Sequence, residues 1–192
     1  MSANISIAKE ALRRQMRARL RGIVEIERME ASARLCNRLH ALEDWRAADC
    51  ILFFAPLSDE PDIFDSISRA LREGKEAALL RFQPHGQQFE PVQIKNPDQD
   101  LVAGHFGVRE PAAHCPLLPM KRLDLLLVPG LAFDPRGHRL GRGKGFYDRL
   151  LGAARGTKCG ICFDEQVAEM IPVEAHDVAV NCVVTPTRWL KF

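Results

Sequence analysis

The 192-residue chain lacks several features that would place it in a special class of protein. No apolar run approaches the roughly 20 residues that a helix needs to span a bilayer. The first residues, MSANISIAKEALRRQ, contain no long apolar segment of the kind that a secretory signal requires. The formal net charge of +2 is too small to indicate nucleic acid as the main partner. These absences predict a cytoplasmic protein that acts without a membrane or nucleic acid as its partner.

Cysteine is scattered along the chain, at positions 36, 50, 115, 159, 162 and 182. Cys159 and Cys162 have the CxxC spacing of redox and zinc sites, but no second CxxC and no paired histidines accompany them. They lie in an apolar run typical of a strand, where alternation would direct the two thiols to opposite faces. We therefore expect the cysteines to be packing residues in a reducing compartment.

Strand patterns alternate with helical patterns over the whole chain. Two continuous apolar runs, CILFFA (50–55) and DLLLVPG (124–130), are typical of strands that are buried on both faces. Shorter strand candidates are EAALL, QFEPVQI (which Pro91 demotes to an edge), CGICF and VNCVVTP. Helical spacing covers about 6–23, 27–42, 63–74 and 145–154. The alternation predicts one α/β domain over residues 1–192, with a mainly parallel sheet and helices on both faces.

The first predicted helix carries a row of cations. Lys9, Arg13 and Arg17 follow one another at intervals of four residues, beside an apolar stripe, and Ser6 is the expected N-cap. Taken alone, this row is more typical of a solvated basic face than of a binding site.

The stretch GRGKGFYDR (141–149) combines alternating glycines with cations just before a predicted helix. Such a loop exposes backbone N–H groups, which together with the helix dipole favour an anion. Arg139, Arg142 and Lys144 add positive charge, and Asp148 is a carboxylate that suits Mg²⁺ beside phosphate oxygens. The spacing is neither that of a P-loop nor that of a dinucleotide fingerprint. It favours polyphosphate binding over a solvated surface turn or an RNA-binding loop.

The longer stretch DLLLVPGLAFDPRGHRLGRGKGFYDR (124–149) resembles the signature region of the 5-formyltetrahydrofolate cyclo-ligase family, the 5,10-methenyltetrahydrofolate synthetases. The segments AKEALRRQM, SDEPD, FGVREP and HDV occur in the order that this family shows. The resemblance implies a three-layer α/β sandwich. It also implies that the chain converts 5-formyltetrahydrofolate to 5,10-methenyltetrahydrofolate with ATP and Mg²⁺, releasing ADP and phosphate.

The resemblance assigns expected roles to individual residues. The implied ATP-binding residues are Lys9, Arg13, Arg139, Leu140, Gly141, Arg142, Gly143, Lys144, Gly145, Phe146 and Tyr147. The implied substrate-binding residues are Ala55, Glu60, Arg142, Gly143, Lys144, Gly145 and Phe146. Asp148 and Asp177 resemble the magnesium ligands, while Lys144 and Arg142 are the expected catalytic residues. The chain departs from the usual family pattern at Phe146, often Tyr, and at Asn181, often Asp.

Two alternatives remain open at the level of sequence. One is a relative that keeps the ATP loop but uses another formylated or carboxylated substrate, which a panel of folates and formyl compounds would reveal. The other is an RNA-binding module built on the basic helix and the glycine loop, which predicts strongly salt-dependent RNA binding without ATP hydrolysis. We expect the cyclo-ligase, acting as a monomer, with 5-formyltetrahydrofolate and ATP as its partners.

Overall fold

The computed structural model describes residues 2–86 and 88–192. At its centre lies a seven-stranded sheet. The helices are α1 (Ser2–Arg21), α2 (Glu25–Ala41), α3 (Glu43–Ala47), α4 (Phe64–Arg72), α5 (Pro97–Asp100) and α6 (Phe146–Ala153). The strands are β1 (Cys50–Leu52), β2 (Glu76–Gln83), β3 (Gln88–Ile94), β4 (Leu101–Ala103), β5 (Arg109–Pro111), β6 (Leu125–Pro129), β7 (Ala132–Phe133), β8 (Arg139–Leu140), β9 (Thr157–Ile161), β10 (Cys182–Val184) and β11 (Trp189–Lys191).

The sheet has the order β11-β10-β9-β6-β1-β2-β3. Its inner strands, β10, β9, β6, β1 and β2, run parallel, whereas the edge strands β3 and β11 pair antiparallel to their neighbours. Pro91 lies in the edge strand β3, as the sequence predicts, because an edge position does not demand a second ladder of hydrogen bonds. The mainly parallel α/β architecture is therefore confirmed.

The order in which strands are added to the sheet changes side at β1: the chain continues from β1 to β2 on one side and from β6 to β9 on the other. This strand pairs with β2 on one side and with β6 on the other, with Ile51 opposite both Ala77 and Leu125. The connections that leave β1 and β6 consequently diverge at the carboxyl edge of the sheet. In open α/β sheets such a divergence leaves a crevice in which ligands bind.

Helices cover both faces of the sheet. Ile51 and Phe53 belong to a core cluster with Leu39 of α2 and Ile67 of α4, whereas Leu52 belongs to a second cluster with Leu151 of α6. Successive residues of β1 thus point into opposite layers, which is why its sequence is apolar throughout. The result is the three-layer arrangement that the resemblance implies.

Helix α1 packs beside the sheet. Met16 and Leu20 are buried in a third cluster with Leu140 and Phe163, so the apolar stripe of the helix faces the protein as predicted. The predicted cap at Ser6 is wrong, because the helix begins at Ser2 and Ser6 lies inside it. No breaker separates the two positions, so the helix extends by a further turn.

Residues 95–120 are more ordered than their composition predicts. They contain α5, the hairpin of β4 and β5, and a short 3₁₀ turn at His105–Gly107. Strands of three residues offer too few positions for an alternation signal, so sequence reasoning described this region only as a loop.

The cysteines lie where a packing role would put them. All six are buried free thiols, and Cys159 and Cys162 belong to core clusters on opposite faces of the sheet. This separation confirms the expectation from strand alternation. Among residues 2–86 and 88–192, no helix combines the length and apolar character needed to cross a membrane.

Candidate functional site

A cavity of about 570 Å³ opens at the carboxyl ends of β1 and β6. It is lined by the segments that follow these strands, by one side of α1 and by the loop before β10. Every site residue expected from the sequence lines this one cavity: Lys9, Arg13, Ala55, Glu60, Arg139, Leu140, Gly141, Arg142, Gly143, Lys144, Gly145, Phe146, Tyr147, Asp148 and Asp177.

The glycine loop turns sharply into α6. Gly143 has a φ of +104° and Gly145 a φ of +65°, conformations that side chains with a Cβ rarely adopt. Arg13 reaches this loop from α1, and its Nε donates a hydrogen bond of 3.0 Å to the carbonyl of Gly141. The guanidinium therefore both braces the loop and adds positive charge to it.

At one end of the cavity, Lys9 is buried between two carboxylates. Its Nζ donates to Oδ2 of Asp177 at 2.6 Å and to Oε2 of Glu174 at 2.9 Å. Burial by itself lowers the pKa of Lys9, but the two hydrogen bonds and the two negative charges outweigh it, so this pKa is raised. We call Lys9, Asp177 and Glu174 the Lys9 cluster.

Arg139 and Asp148 form an ion pair below the glycine loop. Nη2 of Arg139 donates to Oδ1 of Asp148 at 2.8 Å, and the guanidinium stacks over the ring of Tyr147 at 5.4 Å. Arg139 is itself buried, while its Nε has no hydrogen-bond partner among the described residues. The pair fixes the orientation of both side chains in the lining of the cavity.

Elsewhere in the lining, Arg142 reaches from the glycine loop to the loop that follows β1. Its Nη2 donates to Oδ1 of Asp59 at 2.6 Å and to Oε1 of Glu60 at 3.0 Å, and its Nε donates to the same Glu60 oxygen at 3.2 Å. These bonds outweigh the effect of burial, so the pKa of Arg142 is raised. We call Arg142, Asp59 and Glu60 the Arg142 cluster.

Glu60 is the most buried carboxylate of this cluster. Its side chain is 7% exposed, and its second oxygen, Oε2, accepts the N–H of Leu57 at 3.0 Å. Burial raises the pKa of Glu60, since Arg142 and the N–H of Leu57 only partly compensate for the lost hydration. The carboxylate is thus held in one orientation at the edge of the cavity.

An aromatic wall closes part of the cavity near α6. The Phe146 ring packs edge-on against Phe89 at 5.0 Å and against Phe82 at 5.9 Å, and Arg149 lies over Phe146 at 5.3 Å. Because these rings supply a flat apolar surface beside charged groups, the cavity suits a ligand with both aromatic and anionic parts.

Several cavity or cluster residues were not singled out by sequence reasoning. Glu174 and Asp59 complete the two ion clusters, while Phe89 and Arg109 line the cavity from β3 and β5. The position of Asp59 next to Glu60 was a usable signal, because the SDEPD segment already belonged to the resemblance. Nothing local marks Glu174 as a partner of a lysine that lies 165 residues earlier.

Carboxylates of the cavity could hold a hard cation. Oxygen or nitrogen atoms of Glu174, His176 and Asp177 lie within 4.8 Å of one another, and Asp148 lines the same cavity. The bonds to Lys9 and to the N–H of Glu174 use Oδ2 of Asp177, and the bond to Arg139 uses Oδ1 of Asp148. Mg²⁺ prefers one or two carboxylates supplemented by phosphate oxygens and water, so this donor set fits it.

Comparisons with known sequences all identify similarity to 5-formyltetrahydrofolate cyclo-ligases. The profile of the 5-formyltetrahydrofolate cyclo-ligase family matches residues 5–186. The chain is 29% identical to the mouse 5-formyltetrahydrofolate cyclo-ligase over 95% of its own length and 96% of the relative. It is 30% identical to the cyclo-ligase of Escherichia coli (strain K12) over 90% of its length and 97% of the relative.

Solved structures show the same likeness. The NMR structure of the Aquifex aeolicus 5,10-methenyltetrahydrofolate synthetase superposes with a TM-score of 0.85 at 31% identity, covering 95% of this chain and 92% of the other. A 5,10-methenyltetrahydrofolate synthetase from Mycoplasma pneumoniae, only 20% identical, shares the fold with a TM-score of 0.74. The match therefore extends through the fold and across nearly the whole chain.

Proposed function

The chain belongs to the 5-formyltetrahydrofolate cyclo-ligase family, and from this membership we propose that it cyclises 5-formyltetrahydrofolate to 5,10-methenyltetrahydrofolate. ATP is the co-substrate, and ADP and phosphate are released. One observation supports the proposal above others: a single cavity combines a cationic glycine loop at its floor with a buried, oriented carboxylate at one end. The first suits a polyphosphate, and the second suits the paired N–H groups of a pterin ring.

The chemical problem is the stability of the N-formyl group. This group is an amide, so its carbon is a poor electrophile and its oxygen a poor leaving group. Transfer of the γ-phosphoryl group of ATP to the formyl oxygen forms a P–O bond, breaks the bond to ADP and turns that oxygen into part of a phosphate leaving group. N10 of the folate then attacks the formyl carbon and loses its proton, phosphate departs, and the methenyl bridge closes.

The chain's own residues meet the needs of phosphoryl transfer, which are mainly positioning and neutralisation of charge. Lys144 and Arg142 act as the catalytic cations on the transferring group. The N–H groups of the glycine loop bind phosphate oxygens, and Lys9 and Arg13 add contacts from α1. The stretch from Arg139 to Tyr147 accordingly forms the ATP loop.

The folate end of the cavity is assigned to Ala55 and Glu60, together with Arg142 and the residues from Gly143 to Phe146. Glu60 accepts hydrogen bonds from the pterin ring in the orientation set by Arg142 and Leu57. The Phe146 ring, which lacks the hydroxyl common in the family, contributes an apolar surface within the aromatic wall.

Asp148 and Asp177 are the proposed ligands of Mg²⁺, with Glu174 close enough to Asp177 to share the ion. When bound, Mg²⁺ neutralises negative charge on the phosphates of ATP and ADP. The two carboxylates keep an oxygen outside their bonds to Lys9 and Arg139, so metal binding does not require these ion pairs to break completely.

We also propose that the protein acts as a cytoplasmic monomer. Every residue assigned to the site comes from one chain, and six buried free thiols suit a reducing compartment. No nucleic-acid or membrane partner enters the proposed reaction.

The decisive test is the absorbance of methenyltetrahydrofolate, recorded with purified protein, 5-formyltetrahydrofolate, ATP and Mg²⁺. We expect a rise that disappears when any one of the three additions is omitted, together with release of one ADP for each product formed. Stabilisation of the protein by Mg-ATP without any absorbance rise would reject this substrate. A panel of formylated and carboxylated compounds would then identify another.

A further inference from the structure

A second cavity, of about 460 Å³, lies behind the loop 56–62. Leu57 and Glu60 line both this cavity and the main one, so the loop forms the wall between them. The opposite side of the second cavity is built by α2, from which Arg28 and Ser32 reach towards the loop. The loop that presents Glu60 to the main cavity is therefore held from behind by another element.

Side chains of α2 hydrogen-bond to this loop at both ends of its acidic segment, through Arg28 at one end and Ser32 at the other, and the thiol of Cys36 adds a bond of 3.5 Å to the carbonyl of Asp62. Nη1 of Arg28 donates to the carbonyl of Ser58, and its Nη2 donates to the carbonyl of Ile23 at 2.8 Å. The hydroxyl of Ser32 accepts the N–H of Asp62 at 3.0 Å and donates to the carbonyl of Arg28 at 2.7 Å. Only three residues lie between the attached positions 58 and 62.

Those three residues include both acidic members of the Arg142 cluster. Within the loop, Glu60 accepts the N–H of Leu57 with its side chain and donates its own N–H to the Leu57 carbonyl at 3.0 Å. These local bonds set the shape of the turn, but they do not set its position relative to Arg142, which lies 82 residues further along the chain. The attachments to α2 supply that position.

Helix α2 is a firm support for the loop. Leu35 and Leu39 on its inner face are completely buried in the core cluster that includes Ile51 of β1. Ser32 is itself buried, so its two hydrogen bonds are shielded from competing water. The side chains of Arg28 and Ser32 thus connect the packed core to the loop that carries the carboxylate of Glu60.

We propose that Arg28 and Ser32 are positioning residues that fix Glu60 against Arg142 and thereby set the affinity for the folate substrate. This proposal rests on the proposed function of the same cavity. Neither residue lines the main cavity, so both act through the loop and not by contact with the substrate. The ATP site shares only Arg142 with this group of contacts, and its other residues come from other segments, so it should respond less to their loss.

Arg28→Ala and Ser32→Ala test this role through the separate KM values for folate and ATP. Loss of one or two hydrogen bonds should raise the KM for 5-formyltetrahydrofolate about tenfold, with a clearly smaller change in the KM for ATP. Arg28→Lys, which keeps a donor but not the fork, should recover part of the affinity. Arg34→Ala is the matched control, because Arg34 is exposed on the same helix and pairs with Glu30 at 3.6 Å. It should match the wild type.

Unchanged folate KM values in both alanine variants would overturn the proposal, as would equal changes in the KM for folate and the KM for ATP; a general loss of stability would instead lower the apparent kcat and leave both KM values unchanged. Amide hydrogen exchange gives a readout that does not depend on turnover. The N–H groups of Leu57, Glu60 and Asp62 should exchange faster in Arg28→Ala and at the wild-type rate in Arg34→Ala. If the wild-type protein forms no methenyltetrahydrofolate, the proposed function fails, whereas this exchange pattern still decides whether α2 positions the loop; equal protection in both variants would reject it.

Discussion

The two ends of the cavity each place one cation between two carboxylates, but they bury opposite members of the group. In the Lys9 cluster the cation is the least exposed side chain, at 8%, compared with 15% for Asp177 and 23% for Glu174. In the Arg142 cluster the least exposed side chain is the carboxylate of Glu60, at 7%, compared with 32% for the cation. Similar sets of residues therefore meet different surroundings.

Because of this difference, the charge of Lys9 is stable towards pH, whereas the charge of Glu60 depends on pH. The pKa of Lys9 is raised, which strengthens its charged form, because its hydrogen bonds to two acids outweigh burial. The pKa of Glu60 is also raised, which weakens its charged form, because burial outweighs its single cation. We conclude that the Lys9 end keeps its charge over a wide pH range, whereas the Glu60 end depends on pH and on its support from Arg142.

The largest effect should follow removal of the buried cation. Lys9→Ala removes the cation from between Asp177 and Glu174, and breaking a buried ion pair in this way costs about 3 to 5 kcal/mol of unfolding free energy. Urea denaturation measures this loss. Arg14→Ala, an exposed position on the same helix, is the control and should leave the transition unchanged. Equal midpoints for Lys9→Ala and the wild type would show that the two acids do not need Lys9.

A variant in the glycine loop should lower turnover while it leaves both clusters intact. Lys144 is exposed and belongs to neither cluster. Because it is assigned to the transferring phosphoryl group, Lys144→Ala should lower kcat about a hundredfold, with little change in the thermal midpoint. Lys121→Ala, an exposed lysine outside the cavity, is the control for loss of positive charge. An unaltered kcat in Lys144→Ala would remove Lys144 from the mechanism.

Because the charge of the Glu60 carboxylate depends on pH, the free energy of unfolding should depend on pH as well. Because the folded-state pKa of Glu60 lies above 4.5, its contribution to stability is full below that pH and is lost as the pH rises through the folded pKa. Glu60→Gln does not titrate, so its stability relative to the wild type should increase from acid to neutral pH. Urea denaturation near pH 4.5 and near neutrality measures the difference, with the exposed Glu27→Gln as control.

The same variant distinguishes the two ends in activity. Glu60→Gln exchanges a charged acceptor for a neutral one at the folate end, so the KM for 5-formyltetrahydrofolate should rise about tenfold. The KM for ATP should stay at the wild-type value, because no ATP contact is assigned to Glu60. An equal rise in both constants would argue against two separate ends.

The smallest effect concerns the backbone between the ends. A Cβ on Gly143 would lie 3.6 Å from Arg13, so there is space for it, but its φ of +104° makes Gly143→Ala cost about 1 kcal/mol through backbone strain. Gly152→Ala, at the penultimate residue of α6, should instead stabilise the protein by up to about 1 kcal/mol, because Gly152 does not have a positive φ. Thermal denaturation of the two variants should therefore give shifts of opposite sign, and shifts of one sign would show that strain at Gly143 is absent.

Much of the fold could be predicted because its central strands are marked by burial alone. The sequences of β1 and β6 themselves contain no polar side chain, which identifies strands covered on both faces, and Pro91 identifies an edge. The segments after β1 and β6 meet at the carboxyl edge of the sheet, where they line one cavity. These features follow from local sequence and general rules of α/β topology.

The charge partners could not be predicted in the same way. Sequence and resemblance identified Lys9 and Arg142 as cations of the site, but not the ion pairs of Lys9 with Glu174 or of Arg142 with Asp59. These pairs join positions 165 and 83 residues apart, and neither periodicity nor spacing encodes a contact of that length. The β4–β5 hairpin was missed for a different reason, because its strands are too short to alternate visibly.

The bond between Lys9 and Asp177 has a consequence for folding during synthesis on the ribosome. The two residues are 168 positions apart, so at ordinary rates of synthesis the lysine emerges on the order of 10 s before its partner exists. The inner face of α1 also lacks its packing partners until later in synthesis, because Met16 and Leu20 pack on residues between Leu131 and Ile171. The first helix to be synthesised is thus among the last to reach its final contacts, and a nascent chain that stops before Leu131 carries both a lysine without its acidic partners and an exposed apolar stripe.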